Sequence, residues 1–321
     1  MTEFRMNAFG RLVAGCAALG GLYEECTPEN AQQTLAAAWE QGIRAFDTAP
    51  HYGRGLSEER VGKFLSQQPR DQFALSTKVG RLLVDDPDAP ADDDVFFGTP
   101  RRRRVLDYTG DGVRRSIEQS LERMGLDRID LVLVHDPEDH LDTAIGSAAP
   151  ALRQLRDEGV IGGFGVGTNY AETAERFATE TDVDHVLIAG RHSLLDRRAE
   201  RVLALCGERG VHVLVAAVLN SGILANPDAT ARFNYMQAPD ELISTAQQMA
   251  EACARYGVPL RAAAFQFPFR NPSVDAVVIG SSTPEMIIDT VQQFKIEISE
   301  ELWRELEWLV PAQETLPTTG K

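Results

Sequence analysis

Eight short apolar segments recur along this chain of 321 residues, and nearly every one is followed by a segment with helical periodicity. Their length and composition are typical of buried strands. They span residues 12–17, 43–46, 73–79, 129–134, 162–167, 186–189, 211–218 and 276–280. Because the strand-helix units follow one another without a linker or a second core, we predict an α/β fold, a (β/α)8 TIM barrel, with residues 1–321 as a single domain.

The helices between these strands are predicted from capping and helix-breaking residues. Thr27 and Pro28 open a helix that ends at Gly42, and Ser57 is predicted to cap the next one. The predicted helices span residues 29–41, 57–66, 113–124, 141–158, 198–208, 241–256, 260–269, 282–294 and 299–309.

A dinucleotide-binding Rossmann half is the rival fold, because Gly163, Gly165 and Gly167 are spaced like the start of its glycine fingerprint. The fingerprint fails, since Tyr170 stands where a third glycine would be required counting from Gly165. We therefore predict the (β/α)8 barrel and not a Rossmann half.

A long polar insertion, residues 85–111, separates the third strand from its helix. It contains an acidic run at residues 92–94 and a basic run at residues 101–104. Loops of this length are commonly functional or disordered. We interpret the charged runs as solvated surface. The alternative is that a loop of about residues 82–110, with Phe96 and Phe97, lies over the active site as a flap.

The net charge of −16 limits the classes of ligand. Binding to nucleic acid or to an anionic membrane surface relies on an excess of Lys and Arg, so we expect neither partner. No segment reaches the ~20 apolar residues that a membrane span needs. A small-molecule substrate is the expected partner.

Cys16, Cys26, Cys206 and Cys253 form neither a C-x-x-C motif nor a paired framework. We expect free thiols, no structural metal and a cytoplasmic location. Residues 13–16 spell a lipoprotein cleavage box, but Arg11 falls where an uninterrupted apolar core should be, so we expect no secretion leader.

Four titratable residues are placed at the ends of neighbouring predicted strands. Asp47, Lys78 and His135 stand at the ends of strands two, three and four, and Tyr52 lies in the loop after strand two. Each has a structural explanation when taken singly: a turn cap, a surface lysine, a core histidine and a packing aromatic. Because the carboxyl ends of barrel strands share one rim, their common placement favours an active site.

Charge arguments assign a chemical role to each of these residues. A lysine ammonium about 4 Å from a phenol contributes roughly 4 kcal/mol at an effective dielectric of ~20, or about 3 pKa units, before desolvation offsets some of it. We therefore expect Lys78 to lower the pKa of Tyr52 toward neutrality and Asp47 to keep Lys78 protonated. His135 is expected to orient a substrate oxygen beside the phenol.

Four segments stand out, and the first three contain these four residues. Residues 46–53 read Phe-Asp-Thr-Ala-Pro-His-Tyr-Gly, and residues 76–80 read Ser-Thr-Lys-Val-Gly. Residues 130–136 read Asp-Leu-Val-Leu-Val-His-Asp, and residues 279–285 read Ile-Gly-Ser-Ser-Thr-Pro-Glu. In this order the chain resembles the aldo-keto reductases along essentially its whole length. The resemblance implies that Asp47, Tyr52, Lys78 and His135 are a catalytic tetrad. It also implies hydride transfer between nicotinamide C4 and a carbonyl or alcohol carbon, with Tyr52 as general acid or base.

The same resemblance implies an extended NAD or NADP across the top of the barrel. Positions that match the family's cofactor contacts are Gly21, Asp47, Thr168, Asn169, Leu219, Asn220, Ser221, Gly222, Leu224, Gly280, Ser281, Ser282, Thr283 and Met286. Ala189 and residues 216–218 depart from the glutamine and the aromatic ring that many members place near the nicotinamide. Met286 stands where NADP-preferring members carry an arginine, so we expect NAD.

Within the family, the segments after Tyr52, His135 and Leu219 resemble dehydrogenases that oxidise aldoses at C1, a branch with L-fucose, D-threo-aldose and L-galactose dehydrogenases. The implied substrate contacts are Tyr52, His135, Asp136, His192 and Asn220. The expected reaction is oxidation of an aldose to a lactone. Alternatives are pyridoxal 4-dehydrogenation, NADPH-dependent reduction of aldehydes and ketones, and a non-catalytic nicotinamide-binding subunit.

Overall fold

Eight parallel strands hydrogen-bond side by side and close into a barrel in the order β1-β12-β9-β8-β7-β6-β3-β2. The structure is a computed structural model and describes residues 10–93 and 95–317. The barrel strands are β1 Leu12–Gly15, β2 Ala45–Asp47, β3 Ala74–Val79, β6 Ile129–His135, β7 Ile161–Thr168, β8 His185–Ala189, β9 His212–Ala216 and β12 Val274–Gly280. The prediction of a (β/α)8 barrel is confirmed, although β1 and β9 are shorter than predicted.

Helices follow the barrel strands on the outside. They are α1 Pro28–Glu40, α2 Leu56–Leu65, α3 Gly110–Met124, α4 Leu141–Thr143, α5 Ala149–Asp157, α6 Ala171–Glu180, α7 Glu200–Arg209, α8 Asp240–Arg255, α9 Leu260–Gln266, α10 Pro284–Gln293 and α11 Glu300–Trp308. Thr27 caps α1 as predicted, because its hydroxyl accepts a hydrogen bond from the Asn30 amide at 3.1 Å.

The prediction that Ser57 caps a helix is wrong. Ser57 lies inside the first turn of α2, where the residue at the cap position is Gly55. The Ser57 hydroxyl donates instead to the Cys16 carbonyl, 2.8 Å away and 41 residues distant in sequence, and lies 2.8 Å from the Thr48 hydroxyl. A buried tertiary partner has therefore replaced the local capping contact.

One predicted helix, residues 141–158, is interrupted. Between α4 and α5 the chain forms a π-helical segment, Ala144–Ala148. Pro150, the second residue after this segment, has no N–H to donate to the carbonyl of Gly146, so the regular ladder of hydrogen bonds is broken here.

The polar insertion is structured where we predicted a loop. It begins and ends with an antiparallel pair of strands, β4 Arg81–Asp85 and β5 Arg102–Leu106, in a register that joins Arg81 to Leu106 and Asp85 to Arg102. The segment between them, residues 86–101, is called the covering loop below; residue 94 lies outside the described part of the chain.

The interpretation of the charged runs as solvated surface is wrong for two of their members. Arg104 and Asp93 form an ion pair at 2.7 Å, and each side chain is only about one-fifth exposed. Arg102 pairs with Glu59 of α2 at 2.7 Å. Arg101 and Arg103 are exposed, as expected. The ion pairs connect the insertion to itself and to the barrel.

The side chains that fill the barrel come from alternating strand positions, because neighbouring residues of a strand point to opposite faces. Ala45 of β2, Ala74 of β3 and Leu133 of β6 belong to this inner cluster. Two or four residues further along the same strands stand Asp47, Lys78 and His135. The strand period therefore directs these three polar side chains into the barrel's open end.

The expectations drawn from composition concern the cysteines, membrane-spanning helices, metal sites and residues 13–16. All four cysteines are buried free thiols, as predicted. Among residues 10–93 and 95–317, no helix combines the length and the apolar character that crossing a bilayer demands. Over the same ranges, no three His, Cys, Asp or Glu side chains gather as a metal-binding group. Residues 13–16, the sequence box considered above, lie in or directly after β1.

A second, small hairpin was not predicted. Strands β10 Arg232–Phe233 and β11 Met236–Gln237 pair antiparallel after β9, and the two residues at their turn, Asn234 and Tyr235, both have positive φ. Two-residue strands carry too little alternation to be recognised from sequence.

Candidate active site

The four residues predicted as a tetrad meet at one end of the barrel. Asp47 is the last residue of β2, Lys78 the last but one of β3 and His135 the last of β6. Tyr52 lies in the turn that follows β2 and precedes α2. The two strand neighbours β2 and β3 bring Asp47 beside Lys78, and β6, the neighbour of β3, brings His135.

Asp47 and Lys78 form a buried ion pair. Lys78 Nζ lies 2.7 Å from Asp47 Oδ2 and also donates to the Thr48 carbonyl at 3.0 Å. The other carboxylate oxygen, Oδ1, accepts from the Ser76 hydroxyl at 2.7 Å. Burial opposes the charge of Lys78, but the carboxylate of Asp47, together with Tyr52, outweighs burial and raises the lysine pKa. Lys78 is therefore a permanent cation, as predicted.

Tyr52 receives that cation on its ring. Lys78 Nζ lies 4.6 Å from the ring centroid. The expectation that Lys78 lowers the phenol pKa toward neutrality is wrong in its net direction: burial raises the pKa of Tyr52, and the lowering effect of Lys78 is the smaller one. In the protein without ligands, Tyr52 is a protonated phenol at neutral pH.

His135 faces the phenol edge-on. The two rings are 5.7 Å apart between centroids at an interplanar angle of 89°. Burial lowers the pKa of His135 well below its usual range, and the positive charges of Arg81 and Lys78 lower it further. A neutral imidazole carries one N–H, so His135 can donate one hydrogen bond to a substrate oxygen near Tyr52.

Asp136 follows His135 in an unusual conformation. Its φ of 41° lies in the left-handed region, which is disfavoured for a residue with a side chain. The Tyr108 hydroxyl is within hydrogen-bonding distance of the His135 and Asp136 carbonyls, at 2.7 and 3.0 Å, and holds this turn. The carboxylate then lies 3.4 Å from His135 Nε2 and 3.2 Å from Arg81 Nη2. Burial raises the pKa of Asp136, whereas Arg81 opposes the rise.

The covering loop places an aromatic ring against the tetrad. Phe96 is buried, and its centroid lies 6.4 Å from that of Tyr52 and 5.4 Å from that of His51. The loop is held at Gly21, whose carbonyl accepts from the Phe97 amide at 3.0 Å. A Cβ at Gly21 would lie 2.2 Å from the Phe97 carbonyl oxygen, so this close approach requires glycine.

Thr168 and Asn169, predicted to hold the nicotinamide carboxamide, lie at and just after the end of β7. The Thr168 hydroxyl donates to Glu138, and it accepts from the Tyr170 amide at 3.0 Å. The Asn169 carbonyl accepts from Arg191 at 2.7 Å. Both residues are thus fixed by neighbours.

The segment from Leu219 to Leu224 forms a tight turn after β9. Asn220, Ser221 and Gly222 all have positive φ. The side chain of Leu224 is fully buried in an apolar cluster, and its amide donates to the Leu219 carbonyl at 3.2 Å. Leu224 therefore contributes to the shape of this turn rather than a side-chain contact with a ligand.

Gly280 ends β12, and the residues after it lead into α10. Thr283 caps this helix, since its hydroxyl accepts from the Met286 amide at 3.4 Å. The Ser282 carbonyl accepts from Asn30 at 2.6 Å. Met286 is 45% exposed on the first turn of α10. The N-terminus of a helix offers unpaired N–H groups to an anion.

The family model of the aldo/keto reductases matches residues 11–310. This chain belongs to the aldo/keto reductase family. It is 44% identical to D-threo-aldose 1-dehydrogenase from Pseudomonas sp over 91% of each chain. It is 39% identical to pyridoxal 4-dehydrogenase from Microbacterium luteolum, again over 91% of each chain. The protein is therefore a nicotinamide-dependent oxidoreductase.

The fold of this reductase is also that of solved structures. Glycerol dehydrogenase from Gluconobacter oxydans superposes with a TM-score of 0.76 at 22% identity, covering 99% of this chain and 100% of the other. At that identity the likeness shows the fold alone.

Two buried polar atoms at the open end of the barrel are suited to hydrogen-bond with a dinucleotide. Among the described residues, Asn220 Oδ1 and Ser281 Oγ are buried without a hydrogen-bond partner. Buried polar atoms are rarely left in that state, because each one costs free energy. Both lie in segments predicted to contact the cofactor, and a bound dinucleotide would supply hydrogen-bonding groups to them.

His192, a predicted substrate contact, is a buried residue that packs against Phe267. Its ring is 3% exposed and packs 5.0 Å from the ring of Phe267. Burial lowers its pKa to about 4. The ring of His192 thus contacts Phe267, whereas the rings of His51 and Tyr52 lie against His135.

Sequence reasoning missed several residues at this site, among them Arg81, Tyr235 and Tyr23. Arg81 binds Asp136, as described above. Tyr235, at the tip of the β10–β11 hairpin, is tied by its amide to the Ser221 hydroxyl at 3.0 Å. Tyr23 interacts with the same Ser221. A signal existed only for Arg81, which follows Lys78 by three residues at the rim of the barrel.

Proposed function

We propose that this member of the aldo/keto reductase family is an NAD-dependent aldose 1-dehydrogenase. It would oxidise the cyclic hemiacetal carbon of an aldose to a lactone. The proposal rests on two groups of residues that lie side by side. One is the cluster of Asp47, Tyr52, Lys78 and His135. The other is the charged pair of Arg81 and Asp136, directly beside His135. The first supports proton transfer to or from a substrate oxygen, and the second suits a substrate rich in hydroxyl groups. The 44% identity to a D-threo-aldose 1-dehydrogenase points in the same direction.

A bound nicotinamide would supply the acceptor for the hydride that leaves C1 of the aldose. The Tyr52 oxygen accepts the proton of the C1 hydroxyl as the C–O double bond of the lactone forms. Lys78, 4.6 Å from the ring centroid, stabilises the phenolate that must precede this transfer. Asp47 holds Lys78 in place at 2.7 Å. The neutral His135 donates its N–H to the same C1 oxygen and fixes its position.

The proposed cofactor contacts are the positions given in the sequence analysis. Thr168 and Asn169 would hold the carboxamide, residues 219–224 would line the pyrophosphate, and residues 280–283 with the start of α10 would hold the adenosine. Gly21 and Asp47 are further proposed contacts. For Asn220 and Ser281, the support is a buried atom without a protein partner among the described residues. For Leu224, the proposal is limited to the backbone turn.

Preference for NAD is supported by the charges on α10. The helix carries Glu285 and Asp289 and no Lys or Arg. Arg261, the cation that contacts this helix, is paired with Asp289 at 2.8 Å. A 2′-phosphate near Met286 would meet carboxylates, whereas the ribose hydroxyls of NAD can donate to them.

Two alternatives have observations of their own. The 39% identity to a pyridoxal 4-dehydrogenase favours pyridoxal as a second candidate substrate. The raised pKa of Tyr52 keeps the phenol protonated, which suits a general acid in aldehyde reduction. We propose a small-molecule substrate in each case, with Tyr52, His135, Asp136 and Asn220 as contacts. The buried free thiols support a cytoplasmic location.

Absorbance at 340 nm separates these candidates. Purified protein is mixed with NAD or NADP and L-fucose, L-galactose, D-arabinose or pyridoxal, and separately with NADPH and aromatic aldehydes. The proposal expects rapid NADH formation with at least one aldose and slower turnover with NADP. NADH formation from pyridoxal alone would support pyridoxal 4-dehydrogenation. NADPH consumption with aldehydes, without NADH or NADPH formation in any oxidation assay, would support an NADPH-dependent carbonyl reductase. Cofactor binding without any turnover would indicate a non-catalytic subunit.

A further inference from the structure

We propose that Arg81 and Asp136 form a subsite that selects a hydroxyl group on C2, the carbon next to the one that is oxidised. This inference rests on the proposed function, because it assumes an aldose whose C1 oxygen lies between Tyr52 and His135. It adds a specificity-determining pair to the site and states which part of the sugar the pair recognises.

The position of the pair follows from two contacts of Arg81. Its Nη2 lies 3.2 Å from Asp136 Oδ2, and its Nη1 donates to the His135 carbonyl at 3.3 Å. One guanidinium therefore fixes both the backbone of the catalytic histidine and the carboxylate beside it. A planar guanidinium holds two partners in one orientation, which a lysine cannot do.

The Asp136 carboxylate lies within reach of the group next to the C1 oxygen of the substrate. Asp136 Oδ2 lies 3.4 Å from His135 Nε2. If His135 binds the C1 oxygen, the next group along the sugar on this side is the C2 hydroxyl. A hydroxyl donates one hydrogen bond and accepts others, so it can donate to Asp136 and accept from Arg81.

Both side chains are partly open to solvent, so a ligand can reach them. The exposed fractions are 16% for Arg81 and 28% for Asp136, against 2–3% for the Lys78–Asp47 pair. The open fraction leaves room for a ligand atom at the two charged groups. It also distinguishes the pair from the fully enclosed ion pair that serves the tetrad.

The conformation of Asp136 points to a specific use of its carboxylate. A φ of 41° is uncommon for a residue with a side chain, although aspartate tolerates it better than most. The turn is held by the Tyr108 hydroxyl and by a hydrogen bond from the Asp136 amide to the Gly167 carbonyl at 3.0 Å. Strained backbone of this kind is retained where surrounding contacts hold a side chain in one functional position.

The experiment compares an aldose with its 2-deoxy analogue. Suitable pairs are L-fucose with 2-deoxy-L-fucose, and D-arabinose with 2-deoxy-D-ribose. The proposal predicts that wild-type kcat/KM favours the parent sugar by at least about tenfold, because a hydrogen bond to a charged group is lost in the analogue. In Asp136→Asn and in Arg81→Met the ratio is expected to fall toward one, chiefly through KM of the parent sugar.

An exposed arginine on α5, Arg153, provides the matched control: Arg153→Met removes the same charge and is expected to leave the ratio unchanged. If Arg81→Met does not fold, Asp136→Asn, which keeps the side-chain shape, gives the same readout. Affinity for NAD, measured by quenching of tryptophan fluorescence, should be similar in all variants.

Three results would overturn the inference, and they are distinguishable. Equal oxidation of the two sugars by wild type would show that C2 is not recognised, while leaving the proposed function intact. An equal loss with both sugars in the variants, at an unchanged ratio, would show that the pair only braces His135. Oxidation of no aldose at all would remove the proposed function together with the inference.

Discussion

Lys78 Nζ lies 2.7 Å from Asp47 Oδ2 and 4.6 Å from the centroid of the Tyr52 ring, so one buried cation contacts both a carboxylate and the phenol. The ammonium is 2% exposed and has no access to bulk water that would substitute for the carboxylate. Its charge in this position depends on Asp47. In the proposed mechanism, this arrangement allows a phenol that burial keeps protonated to ionise when substrate binds.

Asp47→Asn should destabilise the protein and slow the reaction together. Removing one partner of a buried ion pair leaves an uncompensated charge and costs about 3–5 kcal/mol of unfolding free energy. We expect a loss of that size in urea unfolding and a fall in kcat of at least 10²-fold. Ser76→Ala is the comparison, because it removes only the hydroxyl that donates to Asp47 and leaves the ion pair. Wild-type kcat in Asp47→Asn would contradict the role given to the pair.

The oxidation rate should rise with pH. In the proposed mechanism, oxidation requires the Tyr52 phenolate, and burial raises the pKa of Tyr52 above its usual value near 10. Below that pKa the phenolate fraction increases tenfold for each unit of pH, so log kcat/KM is expected to rise with a slope near one from pH 7 to at least pH 9. Aldehyde reduction requires the protonated phenol and should be flat over the same range. A plateau of the oxidation rate that begins below pH 8 would contradict this account.

Met286→Arg should shift cofactor selectivity toward NADP. The side chain is 45% exposed on the first turn of α10, where a guanidinium can bind a 2′-phosphate through two hydrogen bonds. We expect the ratio of kcat/KM with NADP to that with NAD to increase at least about tenfold. Ile288→Arg places the same charge at an exposed position two residues further along the helix and should change the ratio much less. An unchanged ratio in Met286→Arg would mean that the adenosine lies elsewhere.

Gly21→Ala should impair substrate binding by displacing the covering loop. The new Cβ would lie 2.2 Å from the Phe97 carbonyl oxygen, so the loop that carries Phe96 must move away from Tyr52. We expect a several-fold rise in KM for the aldose. Gly42→Ala is a matched control, because Gly42 also has positive φ, 84° against 90°, but has no atom within 4 Å of its Cβ position. Both variants should lose similar stability from backbone strain. A normal KM in Gly21→Ala would argue against the loop's role.

The barrel and the tetrad were predictable because both depend on local patterns. Apolar strands alternate with helices, and the strand period of two residues places Asp47, Lys78 and His135 on the inner face at one rim. The resemblance to aldo-keto reductases rested on those same residues, and the family match over residues 11–310 agrees with it.

The remaining features depend on contacts between distant parts of the chain. Ser57 has the composition of a helix cap, but the Cys16 carbonyl, 41 residues away, takes its hydroxyl. The net pKa direction of Tyr52 depends on burial, which charge spacing along the sequence does not contain. The contact between Arg81 and Asp136 joins residues 55 positions apart, and the fold brings their side chains to 3.2 Å.

The central claim is that Tyr52 transfers the proton while an aldose is oxidised with NAD, and NADH formation by wild type and Tyr52→Phe tests it most directly. With the best aldose of the panel at saturating NAD, we expect kcat of Tyr52→Phe to be lower by 10²–10⁴-fold, with an unchanged dissociation constant for NAD. If Tyr52→Phe oxidised the aldose at the wild-type rate, the assignment of Tyr52 and the mechanism built on it would be wrong.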